Sequence, residues 1–154
     1  MNFYEGKLSA KGLRVGIVLS KFNSFIGERL LEGAANAFEQ LDGADKDLSV
    51  FKVPGSYEIA GVARRLVEGG KFDAVICLGA IIRGQTPHFD FVASNTSKAI
   101  MELSASGKIP VIFGVVTTDD VEQAIDRAGT KSGNKGYDAM MSAVEMAGLY
   151  RLIP

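Results

Sequence analysis

Short apolar runs alternate along the chain with longer segments in which apolar residues recur every three or four positions. Val, Ile and Leu dominate the short runs, and a continuous apolar run of this length is typical of a strand buried on both faces. The second run alternates more and ends at Pro54, where the chain turns. The pattern predicts four strands, at residues 14–19, 48–53, 74–78 and 111–116.

The segments between and after these runs have the periodicity of amphipathic helices. The predicted helices cover residues 25–41, 57–68, 90–106, 119–128 and 137–152. Repeated strand–helix–strand units join parallel strands through right-handed crossovers, and each crossover lays its helix on a face of the sheet. We therefore expect a three-layer α/β domain of the flavodoxin-like type, with a four-stranded parallel sheet flanked by helices.

The chain of 154 residues has the length of one domain and shows no repeat, linker or low-complexity segment. A single domain over residues 1–154 is the expected organisation. Residues 1–12 fit the strand–helix alternation poorly, and we expect them to form an N-terminal arm that packs on a neighbouring subunit.

Charge and cysteine content narrow the possible partners and the compartment. Seventeen basic and eighteen acidic residues leave a net charge of −1, with no basic stripe for nucleic acid. Cys77, the only cysteine, lies in an apolar run and is expected to be an inert buried thiol. The chain shows neither a signal-peptide pattern nor an apolar stretch of ~20 residues, so we expect a soluble cytoplasmic protein without membrane contact.

Ligands of such sheets bind at the carboxyl ends of the strands, so the loops after the strands are the first place to look for a site. After the first strand, Phe22 is an aromatic suited to stacking on a planar ligand, whereas Asn23 or Ser24 is suited to capping the next helix. After the second strand, Ser56 is a candidate helix cap. The backbone N–H groups of Ser56, Tyr57 and Glu58 are equally placed to bind polar ligand atoms.

The third loop, at residues 79–88, carries the densest chemistry. Its two glycines permit close backbone approach, and Gln85 and Thr86 offer donors to a phosphate oxygen. His88, the only histidine, is the side chain best suited to proton transfer near neutral pH, although a structural role is as plausible for a lone histidine. No Walker loop or GxGxxG motif is present, and one histidine with one cysteine makes a zinc site improbable.

Two further parts of the sequence, one segment and one residue, remain to be interpreted. The segment 127–136 is either a solvated connection between helices or an anion clamp in which Arg127 and Lys135 hold a phosphate. Phe113, within the fourth strand, is a core residue on spacing alone.

Taken together, five of these segments resemble the lumazine synthase family, in the family's order and spacing, and the resemblance runs from about Tyr4 to Leu149. The segments are SKFN (20–23), PGSYEI (54–59), GAIIRGQTPHFD (79–90), FGV (113–115) and RAGTKSGNKG (127–136). The resemblance implies a cofactor-free transferase of riboflavin biosynthesis. It would condense 5-amino-6-(D-ribitylamino)uracil with 3,4-dihydroxy-2-butanone 4-phosphate to 6,7-dimethyl-8-ribityllumazine, phosphate and water.

The resemblance also implies a role for each candidate residue. His88 would be the proton shuttle, and Phe113 and Arg127 would come from a neighbouring subunit. The phosphate site would use Gln85, Thr86 and Arg127. The ribitylaminouracil site would use Phe22, Asn23, Ser56, Tyr57, Glu58, Ala80, Ile81, Ile82, Phe113 and Lys135.

Members of this family form pentamers, and some assemble twelve pentamers into a hollow icosahedral shell. The connection at residues 129–134 has no inserted residues, which resembles the shell formers and implies 60 subunits. An archaeal-type riboflavin synthase and a non-catalytic flavin-binding or shell protein remain as alternatives. The presence of Arg127, Gln85 and Thr86 argues against the first, and His88 and Phe22 argue against the second.

Overall fold

A computed structural model describes residues 1–130 and 133–154, and its central element is a parallel four-stranded sheet. The strands are β1 (Val15–Ser20), β2 (Leu48–Val53), β3 (Ala74–Ile82) and β4 (Val111–Thr118), in the spatial order β2-β1-β3-β4. The helices are α1 (Ser24–Gln40), α2 (Ile59–Glu68), α3 (His88–Ala105), α4 (Val121–Arg127) and α5 (Lys135–Tyr150). The predicted flavodoxin-like fold is confirmed.

Two apolar layers cover the two faces of the sheet, because successive side chains of a strand point to opposite faces. Ile76 of β3 belongs to the core formed with α1, α4 and α5, whereas Val75 and Cys77 belong to the core formed with α2 and α3. A continuous apolar run is therefore needed in a central strand, and this is the pattern that predicted β3.

Within the described part of the chain, none of the helices combines the length and apolarity that a bilayer crossing demands.

Helices α1 and α5 pack closely because small residues face each other across their contact. Ala34, Ala37, Ala143 and Ala147 are all buried in the core that the two helices share. Gly136, in the first turn of α5, has no room for a side chain, since a Cβ there would meet the carbonyl group of Leu30. The start of α5 is therefore pressed against the backbone of α1.

The boundaries of β3 correct the sequence-based prediction. The strand continues to Ile82, so residues 79–82, predicted as loop, lie within the sheet. They pair with residues 115–118 of β4, from Gly79 opposite Val115 to Ile82 opposite Thr118. The predicted loop was wrong there because Gly79 interrupts the apolar run, whereas pairing with β4 carries the strand across this glycine to Ala80, Ile81 and Ile82.

The predicted helices are found with shifted ends. Helix α3 begins at His88 rather than at residue 90, and α2 begins at Ile59 because Ser56–Glu58 forms a 3₁₀ turn. Helix α4 is shorter than predicted because the Asp120 side chain caps it, accepting a hydrogen bond from the Gln123 N–H at 2.8 Å. Residues 1–14, all described, form neither helix nor strand; Met1 and Phe3 are exposed, and the Ala10 N–H donates to the Leu41 carbonyl at 2.7 Å.

Cys77 lies in the middle of β3 and is fully buried, as predicted. Burial among apolar side chains penalises the thiolate and raises the pKa of the Cys77 thiol to about 12. The folded state therefore holds the proton more tightly than the unfolded chain does. Stability from this group is complete below the thiol pKa of the unfolded chain and is lost as the pH rises towards the folded value.

We expect this difference to appear as a pH-dependent stability that a Cys77→Ala variant lacks. Relative to the variant, the free energy of unfolding of the wild type should fall by about 1.4 kcal/mol between about pH 7 and about pH 10. Urea unfolding at a fixed protein concentration measures both curves. Parallel curves for the two proteins, or rapid alkylation of native Cys77 at pH 9, would contradict the assigned burial.

Candidate active site

The sheet order creates a crevice between β1 and β3, because the chain leaves β1 towards β2 and leaves β3 towards β4. A cleft of about 390 Å³ lies at the carboxyl ends of β1, β2 and β3, and we name it the switch-point cleft. Its lining residues are Phe22, Asn23, Gly55, Ser56, Tyr57, Glu58, Ala80, Ile81, Ile82, Gly84, Thr86, His88, Phe89 and Val92.

The floor of this cleft is a stretch of β3 that extends past the end of β1. The pairing of β1 with β3 ends at Leu78, whereas the pairing with β4 continues to Ile82. Beyond Leu78, no residue of β3 is paired with a residue of β1. Since N–H and C=O groups of alternate residues point the same way, Ala80 and Ile82 direct theirs into this gap.

Asn23 fills part of the gap. Its side-chain Nδ2 donates to the Ala80 carbonyl at 2.9 Å, and its backbone has the left-handed conformation (φ 55°, ψ 48°) that asparagine tolerates well. The side chain makes no capping hydrogen bond to α1, and Ser24 is already the first residue of that helix. The predicted capping role was therefore wrong, and Asn23 instead joins the loop after β1 to the end of β3.

Phe22 is next to Asn23 and is 70% exposed, although it is a large apolar side chain. It lines the switch-point cleft together with Tyr57, which is also exposed. An aromatic ring held open at the rim of a cleft presents a flat face to which a planar ligand can bind.

The loop after β2 departs from its predicted capping arrangement as well. Ser56 is buried, but its side chain makes no cap; its carbonyl accepts a hydrogen bond from Thr96 Oγ1 at 3.4 Å. The Glu58 N–H donates to the Gly55 carbonyl at 3.2 Å within the 3₁₀ turn. Of the three backbone N–H groups proposed for ligand binding, that of Glu58 is therefore already engaged.

The loop after β3 brings Thr86 and His88 to the switch-point cleft. His88 is exposed and is the first residue of α3, so its imidazole is accessible to a ligand. Gln85, which precedes Thr86, is exposed and does not line the switch-point cleft.

A second cleft of about 400 Å³ runs along the outer edge of β4, and we name it the edge cleft. It is lined by Ile112, Phe113, Gly114, Val115, Val116, Thr117, Arg127, Lys135, Asp138, Ala139 and Ser142. Phe113 is 45% exposed, so its prediction as a core residue was wrong: it lies on an edge strand, which spacing alone does not reveal. Lys135 Nζ lies 3.8 Å from a carboxylate oxygen of Asp138.

The two clefts share no lining residue among the described parts of the chain.

The sequence model of the 6,7-dimethyl-8-ribityllumazine synthase family matches residues 12–151, a range that includes every strand and every helix from β1 to α5. The chain belongs to this family. The resemblance expected from the loop motifs is thereby confirmed, and membership places the chain among the enzymes of riboflavin biosynthesis.

The family membership makes the division of the predicted site residues informative. In one chain, most of the residues predicted to bind ribitylaminouracil line the switch-point cleft, together with His88 and Thr86. Arg127, predicted to share a phosphate site with Thr86, lies in the edge cleft with Phe113 and Lys135. A single chain therefore divides the predicted site residues between two clefts.

Side chains that could hold a metal ion are sparse in both clefts. Within residues 1–130 and 133–154, no three His, Cys, Asp or Glu side chains come together as a group that could ligate a metal. The polar groups available in the switch-point cleft are instead an imidazole, hydroxyls, a carboxylate and strand backbone.

Arg83 is a residue of this region whose role sequence reasoning missed. Its Nε donates to Asp119 Oδ1 at 3.0 Å and its Nη1 donates to Asp90 Oδ1 at 3.3 Å, while the guanidinium lies 4.3 Å from the centroid of the Phe89 ring. The hydrogen bond with Asp119, aided by the charge of Asp90, raises the pKa of Arg83 above its usual value. The side chain thus ties the loop after β3 to α3 and to the end of β4, and Asp90 pairs with Arg83.

We expect an Arg83→Met variant to loosen the loop that carries Thr86 and His88 while leaving global stability nearly unchanged, because the lost ion pairs are exposed. Amide hydrogen exchange should rise in peptides covering residues 83–91. An Arg64→Met variant, which removes an exposed ion pair with Glu68 on α2, is the matched control. Unaltered exchange in the loop would show that Arg83 does not hold it.

Proposed function

We propose that the protein condenses 5-amino-6-(D-ribitylamino)uracil with 3,4-dihydroxy-2-butanone 4-phosphate to 6,7-dimethyl-8-ribityllumazine, phosphate and water, as a transferase without a cofactor. The observation that carries this proposal is the content of the switch-point cleft. An exposed aromatic ring, the part of the β3 backbone beyond its pairing with β1 and the only histidine of the chain line one cavity of about 390 Å³.

In this proposal the pyrimidine ring stacks on Phe22 and forms hydrogen bonds with the backbone of β3. The Ile82 backbone, which points into the gap beside Asn23, offers a donor and an acceptor to the ring edge. Ala80 and Ile81 border the ring. The ribityl chain extends towards Ser56, Tyr57 and Glu58, where hydroxyl and carboxylate groups meet its hydroxyls.

The phosphate-bearing substrate then lies between two subunits. One subunit contributes Thr86 and Gln85, and the second subunit supplies a cationic group. Arg127, Phe113 and Lys135 share the edge cleft, so we propose that Lys135 comes from the neighbour together with Phe113 and Arg127. Arg127 is suited to bind two phosphate oxygens at once, whereas Lys135 approaches the ribitylaminouracil, the substrate that the resemblance assigns to it.

The chemistry requires positioning and proton transfer. The ring amine attacks the ketone, and loss of water gives an imine. Removal of a carbon-bound proton expels phosphate, and the ribitylamino nitrogen closes the ring with loss of a second water. His88 would carry the protons between these steps, and Arg127 would stabilise the charge on the departing phosphate.

We further propose that the chain acts in the cytoplasm as one functional domain, within pentamers, twelve of which close into a shell. The exposed side chains of Met1 and Phe3 support an N-terminal arm that packs on a neighbour. The short connection at residues 129–134 supports the shell; its residues 131 and 132 lie outside the described residues.

A fluorescence assay tests the activity directly. Lumazine fluorescence should appear only when both substrates are present, with one phosphate released for each lumazine. Riboflavin formed from lumazine alone would instead favour a riboflavin synthase. Binding of the pyrimidine without turnover would favour a non-catalytic protein, and either result would overturn the proposal.

Variants of the two clefts test the shared site. We expect His88→Ala to lower turnover by about 100- to 10,000-fold, the usual share of general acid–base catalysis. Arg127→Ala should raise the KM for the phosphate-bearing substrate. Co-expression of the two variants should restore activity, because about a quarter of randomly formed interfaces join an intact His88 to an intact Arg127.

The control for this complementation is co-expression of Arg127→Ala with the double variant His88→Ala/Arg127→Ala, assayed at a low concentration of the phosphate-bearing substrate. That mixture forms no interface with both side chains, so its activity should stay at the level that the Arg127→Ala chains alone provide. Equal activity of the two mixtures would place both residues in a site made by one chain.

Sedimentation velocity and light scattering test the assembly. We expect a particle of about 60 chains, which corresponds to closed icosahedral symmetry built from pentamers. A dominant species of about five chains would overturn the shell proposal and would support the pentamer as the final assembly. A monomer with full activity would contradict the shared site.

A further inference from the structure

The side chain of Asn134 joins three elements next to the edge cleft. Its Nδ2 donates to the Arg29 carbonyl at 2.9 Å and to the Ala128 carbonyl at 3.2 Å. Its Oδ1 accepts from the N–H groups of Gly136 at 2.8 Å and Tyr137 at 3.1 Å. Both donors of the amide and its oxygen are thereby in use, and α1, the end of α4 and the start of α5 are held by one residue.

These bonds fix the backbone immediately beside two cations. Ala128 follows Arg127, and Lys135 follows Asn134 itself. Ala128 and Asn134 also pair as an antiparallel bridge, so the chain returns to within hydrogen-bonding distance after leaving α4. Arg127 and Lys135 both line the edge cleft, and the distance between their backbones is set by this closure.

The surroundings leave room for the amide and for little else. A Cβ on Gly33 of α1 would meet the Oδ1, Cγ and Nδ2 atoms of Asn134. A side chain at Gly33 would therefore push against the amide from α1, a helix that contributes no residue to the lining of the edge cleft.

A helix cap needs only part of this arrangement. Asp120 caps α4 with a carboxylate oxygen that accepts from the Gln123 N–H, and it donates nothing. Asn134 caps α5 in the same manner through Oδ1, but its two Nδ2 donations lie outside the helix it caps. A second function, beyond capping, is needed to account for an amide rather than a carboxylate.

We propose that Asn134 is a positioning residue that, through its hydrogen bond to the Ala128 carbonyl, holds the adjacent Arg127 where its guanidinium can engage the phosphate group. The inference rests on the proposed phosphate-bearing substrate. Asn134 acts through its neighbours and does not touch the substrate. Loss of its donations releases Arg127, which weakens phosphate binding, whereas an oxygen at residue 134 still caps α5 and keeps Lys135 in place.

The informative substitution is Asn134→Asp, which keeps an oxygen to cap α5 but removes both donations and faces two carbonyl groups with a carboxylate. Gly33→Ala displaces the same amide while leaving residue 134 unchanged. Asp120→Asn, the reverse exchange at the cap of α4, is one matched control. Gly61→Ala on α2, where a Cβ meets nothing within 4 Å, is the other.

Calorimetric titration with inorganic phosphate and steady-state kinetics with both substrates provide the readouts, using the assembled protein. For Asn134→Asp we expect the Kd for inorganic phosphate and the KM for the phosphate-bearing substrate to rise about tenfold or more, as for a displaced binding group. The KM for the pyrimidine should stay within about twofold. Gly33→Ala should shift the same two constants upwards, and both controls should match the wild type.

The outcomes separate this inference from the proposed activity. A wild type that binds phosphate but forms no lumazine overturns the proposed activity. The titration with inorganic phosphate still decides the role of Asn134 in that case. Unchanged phosphate affinity in Asn134→Asp, equal losses for both substrates, or a wild type that binds no phosphate would overturn the inference. If Asn134→Asp does not fold, Gly33→Ala decides by the same criteria.

Discussion

The burial of β3 on both faces is the constraint on which the rest of the structure depends. From Ala74 to Ile81 every residue of this strand is buried, with β1 on one side and β4 on the other. A strand in this position must be apolar throughout and must have helices on both faces. The same strand is longer than β1, so its last residues present open backbone towards the loop after β1. The core and the floor of the switch-point cleft are thus consecutive parts of one segment.

How much of this arrangement can be read from the sequence depends on the range of the interactions involved. The four strands, the helices and the family followed from local periodicity and from loop motifs, since those are written in neighbouring residues. The end of β3 did not follow, because Gly79 interrupts the apolar run and only the pairing with β4 shows that residues 80–82 continue the strand. Phe113 was misjudged for a related reason: a strand at the edge of a sheet and a strand inside it share the same periodicity.

The side chains that hold the site together were the least predictable part. Arg83 reaches Asp119 across 36 positions, and Asn134 reaches Arg29 across 105. Such contacts depend on the packed fold, so the sequence shows only a charged residue and an amide in loops. Conversely, the residues that face the clefts were found from the loops, because ligand-facing loops at strand ends follow from the topology alone. Sequence reasoning therefore located the chemistry better than the scaffold that orients it.

The closure between Ala128 and Asn134 has a consequence for how this chain tolerates change. Because the bridge and the Asn134 side chain join the two ends, the connection between them spans a gap whose width is already fixed. Lengthening such a connection costs only slowly increasing chain entropy, about 0.6 kcal/mol for each doubling. Its length is therefore a variable independent of the cations that flank it. A foreign peptide grafted there would leave both clefts as they are, but it would remove the short connection that supports the proposed shell.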